Sequence, residues 1–202
     1  MVYSKLNIRI VPIGNLEEKF VIDFRDEFQK ALHDAVGLDV KCFFEFVNPD
    51  SASKDRIIIN KIPSTAYNPS IGKYNTHSLF SVGMQRKEDA LKRLTSKDLL
   101  KVLLLIDFDI YRAGYDGILF GEAEQGGDIA IVSTAALKNK LKDESVIKDR
   151  SIKEALHVFG YLLGLEPCNS EGCAMSVAKD PKDIDKRNRA YCKDCMGKLY
   201  GG

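Results

Sequence analysis

Residues 153–195 run KEALHVFGYLLGLEPCNSEGCAMSVAKDPKDIDKRNRAYCKDC and hold four of the chain's five cysteines. Four residues separate Cys168 from Cys173, two separate Cys192 from Cys195, and eighteen lie between the pairs. Each close pair suits a tight knuckle that turns two thiolates toward one point. Two knuckles together supply the tetrahedral shell that zinc prefers. Four thiolates leave no open coordination position, so the expected ion is a single structural zinc. Its binding energy, on the order of 10 kcal/mol, is felt as folding energy. Two local disulfides or free thiols are the alternatives, but cysteines clustered in a reducing compartment favour metal. Cys42 lies far upstream within an apolar run and is expected to be a small buried hydrophobe.

Outward from this segment, residues 135–165 read as helical, with a break expected near Asp149. GILFGEAE (117–124) and GDIAIVST (127–134) predict two strands joined by a Gln-Gly-Gly turn. KVLLLIDFDIY (101–111) has the continuous apolar character of a strand buried on both faces. A helix is predicted over 85–94, with Ser96 capping a further turn. Residues 48–75 read as connecting loop around a short strand at RIIIN (56–60). LDVKCFFEFV (38–47) and KLNIRIVPIG (5–14) predict two more strands. Between them a helix starts at Asn15 and Glu18, buries Leu16, Phe20, Phe24, Phe28 and Leu32, and closes at Gly37. Helices interleaved with strands and followed by a cysteine-rich tail define an α/β (α+β) class. At this length one domain over 1–202 is expected, with 168–202 as its zinc-binding module.

Thirty basic and 29 acidic residues nearly cancel, which removes any global field toward nucleic acid or membrane. From Ser176 onward seven Lys/Arg stand against four Asp, an excess expected to be solvated surface. No stretch approaches the roughly 20 apolar residues needed to span a bilayer. MVYSKLNIRI alternates where a signal peptide would be apolar, so a cytoplasmic protein is expected.

The quoted segment resembles the archaemetzincins, a metzincin-type metallopeptidase family. Their signature is HExxHxxGxxHC, four residues, CxM, a spacer and CxxC. His157 falls on the first histidine and Gly164 on the glycine. Cys168 and Cys173 fall on the first cysteine pair, Met175 on the Met-turn methionine, and Cys192 and Cys195 on the second pair. AYNPSIGKY (66–74), IDFDIY (106–111), FGEAE (120–124) and IVSTAAL (131–137) extend the likeness upstream in the family's order. The resemblance implies a metzincin-like mixed twisted sheet, an active-site-type helix carrying His157, and a C-terminal four-cysteine zinc module.

The departures bear on function. Val158 stands where the family has its catalytic glutamate, Tyr161 where it has the second histidine, and Pro167 where it has the third. Valine accepts no proton and proline ligates no metal. Tyrosine would ligate only as phenolate, against a pKa of about 10. A family member so altered is expected to be a non-catalytic module that binds peptide or protein. The resemblance places a peptide-pairing sheet edge at Ile118, Phe120, Gly121 and Glu122, above a cleft floor that Val158 and Pro167 make apolar. One alternative is a metallopeptidase whose metal site is rebuilt from Glu154 or Glu166 with His157 and Tyr161. Another is a nucleic-acid- or ribosome-associated zinc protein using the basic tail. Metal content separates the first two, because a pseudo-enzyme would hold one zinc and an enzyme two. Asp107 and Asp109 match an acidic strand end of the family and are expected to make structural hydrogen bonds. His33 and His77 are expected on surface elements.

Overall fold

A computed structural model describes residues 5–44, 62, 64–92, 99–138 and 143–201. The first half contains β1 (Lys5–Ile13), α1 (Glu18–Val36), β2 (Asp39–Phe44), β3 (Tyr67–Asn68), β4 (Lys73–Asn75) and α2 (Thr76–Leu91). Next come β5 (Leu99–Ile106), β6 (Ile110–Tyr111), β7 (Gly121–Ala123) and β8 (Ile129–Ser133). The helices α3 (Thr134–Lys138), α4 (Glu144–Leu162), α5 (Pro181–Asp185) and α6 (Lys193–Tyr200) complete the order.

The main sheet has the order β2-β1-β5-β8-β7, parallel except that β7 runs antiparallel to β8. Its central strands are apolar at almost every position because both faces are covered. Leu103, Leu105, Ala130 and Val132 join the core beneath α1 and α4, while Val102, Leu104, Ile106 and Ile131 join a second core with Leu79 of α2. Phe28 of α1 stacks on Phe24 and meets Phe159 of α4 edge-on, at ring separations of 5.5 and 5.2 Å. Those aromatics fix the two long helices on one face.

Several local expectations change. The first helix begins at Glu18, with no side-chain cap, and the Asn15 backbone amide instead donates to Asp107 Oδ2 at 2.8 Å. That bond confirms the structural role of Asp107, and it needs Gly14, where a Cβ would fall 1.9 Å from Asp107 Oδ1. Gly37 does close α1, at φ 60°. α2 starts at Thr76, nine residues before the predicted start, with the Asn75 side chain accepting from the Ser78 amide. The stretch 67–75, expected as loop, forms β3 and β4, which with β6 make a separate small sheet. α4 runs unbroken through Asp149, and its start is set at Asp143, whose carboxylate accepts from two backbone amides. The strand expected at 56–60 and the turn expected at Ser96 lie outside the described residues.

The tail does not form a separate layer. Cys173, Met175, Ile184, Tyr191, Cys195 and Leu199 belong to the same apolar cluster as α1 and α4. Arg150 grips Asp185 through two hydrogen bonds of 2.7 and 2.6 Å, and Tyr191 donates to the Leu156 carbonyl at 2.7 Å. Gly160 of α4 lets Met175 approach, since a Cβ there would lie 2.0 Å from its sulfur. Gly160→Ala is therefore expected to destabilise the protein by about 1–3 kcal/mol through overpacking. Urea denaturation checks this, and an unchanged midpoint would refute it. Among the described residues, no helix is long and apolar enough to cross a membrane.

Candidate zinc site and adjoining cleft

The first knuckle begins where α4 ends and the chain turns back on itself. The Cys168 amide bonds the Met175 carbonyl and the Cys173 amide bonds Ser170, closing the loop between the two thiols. The second knuckle opens α6, with Cys192 just before its first turn and Cys195 within it. These elements bring Cys168, Cys173, Cys192 and Cys195 together, with all four sulfurs within 4.8 Å of one another.

Sulfurs at about 2.3 Å from a tetrahedral zinc define edges of roughly 3.8 Å. Cys168 and Cys192 stand 3.7 Å apart at sulfur, and Cys173 and Cys195 stand 3.8 Å apart. The donor set therefore fits zinc. Backbone amides also point at the thiols: Ser170 N donates to Cys168 at 3.4 Å, and Met175 N and Cys192 N donate to Cys173 at 3.4 and 3.3 Å. Such donors favour the thiolate form that a metal requires. The Cys195 backbone amide is the largest influence holding the Cys192 thiol down, to about 6. Burial pushes the Cys173 and Cys195 thiols up. Cys42 is buried away from this site, and burial raises its thiol to about 12, as suits an inert core residue.

Beside the knuckles lies a cleft of about 500 Å³, walled by residues 118–123, by one face of α4 and by the tail. His157 is buried in its wall and lies 2.9 Å from the Ala174 carbonyl through Nδ1. A carbonyl only accepts, so Nδ1 is assigned the proton and Nε2 the lone pair. Burial, chiefly, lowers the imidazole's pKa; the Arg187 guanidinium acts the same way, opposed by Glu154 and by the bond to Ala174. Tyr161 meets the imidazole edge-on at 5.0 Å, and burial raises its phenol. Glu154, one turn before His157, is paired with Arg187 at 2.7 Å, both side chains buried.

His157, Tyr161 and Pro167 thus border one cleft. Val158 does not, and the expectation of an apolar floor is corrected there. The side chain is 1% exposed and packs under Gly121, where a Cβ would lie 2.8 Å from Val158 Cγ1. It points into the core because α4 turns its Glu154–His157–Tyr161 face to the cleft, one helical step away. The floor is polar, built on the Glu154–Arg187 pair. Ile118, Gly121 and Glu122 line the cleft on the β7 side, with Arg112 on Glu122 Oε1 at 3.2 Å. Phe120 borders the cleft but is 4% exposed, and its carbonyl is taken by Ser133 N at 2.8 Å. Regular pairing covers only 121–123, shorter than the predicted strand.

Glu154 is paired with Arg187, and Glu166, also on the cleft, is exposed and faces Lys198 at 3.6 Å. Among the described residues, the four cysteines are the one group of three or more His, Cys, Asp or Glu placed to share an ion. His33 bonds the Leu38 carbonyl and His77 borders a different pocket. Arg187 is the residue that sequence reasoning missed. It sits in the charged run DIDKRNR, which reads as solvated surface, and only a buried partner on α4 distinguishes it from its neighbours.

Residues 6–200 match the model of Peptidase family M54. An archaemetzincin of Methanocaldococcus jannaschii is 36% identical over 142 residues, covering 68% of this chain and 72% of that protein. An archaemetzincin of Pyrococcus furiosus is 26% identical over 201 residues, covering 95% and 91%. Among solved structures, the archaemetzincin of Methanopyrus kandleri superposes with a TM-score of 0.71 at 24% identity, covering 98% of this chain and 93% of that one. A zinc-dependent peptidase of Methanocorpusculum labreanum superposes at 0.72 with 20% identity, covering 96% and 99%. The structural likenesses share the mixed sheet and flanking helices described above.

Proposed function

The chain belongs to peptidase family M54, the archaemetzincins, and we propose that it is a member that holds one structural zinc and binds peptide without cutting it. The observation that carries this reading is the content of the cleft. His157 is its sole histidine among the described residues, and the carboxylate one turn before it, Glu154, is held by Arg187. Water activation needs a metal with an open position and a base to take the proton. Val158 is buried and apolar, Pro167 has no donor atom, and the phenol of Tyr161 is shifted away from ionisation.

When bound, the zinc supplies a cross-link between the two knuckles, with its shell filled by thiolates. Cys168, Cys173, Cys192 and Cys195 would hold it, and their supporting amides keep the loops in place. A cytoplasmic setting, in which thiols stay reduced, belongs to the same proposal.

Recognition needs no metal. β7 is the last strand in the sheet order and has β8 as its one neighbour among the described residues. A peptide laid beside it can add main-chain hydrogen bonds, while the cleft receives side chains.

Incubating the protein with a peptide library tests both halves of the reading. NMR shifts are expected at 117–123 and around His157, with intact peptides by mass spectrometry. Zinc-dependent cleavage abolished by His157→Ala would overturn the inactive reading. Salt-dependent RNA binding without peptide shifts would move the function to the basic tail.

A further inference from the structure

The cleft contains a buried cation that is only half used. Arg187 is 3% exposed, and its Nη1 donates to Glu154 Oε2 at 2.7 Å. Its Nε is enclosed and has no hydrogen-bond partner among the described residues. Nε and Nη2 form the side fork of a guanidinium, the edge whose spacing matches two oxygens of one carboxylate. A buried donor without an acceptor is costly, so an acceptor supplied from outside is the natural complement. Around this edge Tyr161 offers a hydroxyl, while Ile118 and Val177, at 50% and 59% exposed, place apolar surface on the β7 wall and the tail wall. An anion flanked by apolar rims suits the end of a chain better than an acidic side chain within one.

We infer that Arg187 is a carboxylate anchor, and that the cleft takes the free C-terminus of a peptide ending in an apolar residue. This rests on the peptide-binding reading and narrows it to one class of ligand. β7 would pair with the residues before the last, and the Glu154 pair would hold the guanidinium in the cleft wall, its unpaired edge left for the incoming carboxylate. The bidentate bond discriminates by geometry as well as charge. Lysine at this position would keep the pair with Glu154 but lose the fork.

The test is a pair of NMR titrations with one N-acetylated peptide ending in leucine, as the free acid and as the carboxamide. The free acid is expected to bind about tenfold tighter, as befits a charge-assisted bidentate bond. In Arg187→Lys the acid-to-amide ratio should fall toward one. Isovalerate, a free acid of similar shape, should shift the same resonances weakly. Equal affinity of acid and amide for the native protein would overturn the carboxylate anchor while leaving peptide binding intact. Binding of neither peptide would overturn both. Isovalerate binding with no binding of either peptide would overturn the peptide terminus as the source of the anion. The acid–amide comparison uses the native chain, so the outcome does not hang on how Arg187→Lys folds.

Discussion

Cys192→Ser is expected to abolish zinc binding and to lower the melting temperature by about 10 °C or more. Serine keeps the shape but replaces a thiolate with a poor ligand, so the ion loses one corner of its shell. The loss does not stay local. Cys173, Cys195, Met175 and Tyr191 pack in the same cluster as Phe28 and Phe159, so a loosened knuckle opens the main core. Losing even about 4 kcal/mol of the zinc contribution shifts the midpoint by about 8–16 °C in a chain of this size. Elemental analysis and calorimetry read the two effects, and Cys42→Ser is the control for metal content, since its thiol lies outside the site. A Cys192→Ser protein that keeps one zinc and its melting point would show that the thiolates are not the ligands.

Arg187→Met is expected to cost about 3–5 kcal/mol, because it strands the Glu154 carboxylate in a buried wall. Adding Glu154→Gln should recover most of that loss, since the uncompensated charge is then gone. Denaturant titration of the two single variants and the double variant measures the coupling. Additive losses would mean that the pair contributes little and that the cleft floor is held by packing alone.

The sequence displayed the four-cysteine cluster almost completely, because two cysteine spacings and a helix end fix four thiols with little freedom. The central strands were legible for a similar reason, since continuous apolar runs such as 102–106 need both faces covered. The edges were less so. β7 was predicted as eight residues and pairs with β8 over three, and Leu119 just before it bridges to Ile110 of β6 instead. α1 starts at Glu18, after Asn15, whose backbone amide is bonded to a partner 92 positions away, Asp107. Val158 was assigned to the cleft from its place in a motif, but its side chain follows the helix into the core. Arg187 was invisible for the complementary reason: nothing local marks one arginine in a charged run as the partner of a buried glutamate.

The most direct measurement is a crystal of the native protein with an anomalous difference map collected at the zinc edge. One peak is predicted, lying between the sulfurs of Cys168, Cys173, Cys192 and Cys195. A second peak at bonding distance from His157 Nε2 would contradict a metal-free cleft and return the protein to the catalysts of its family.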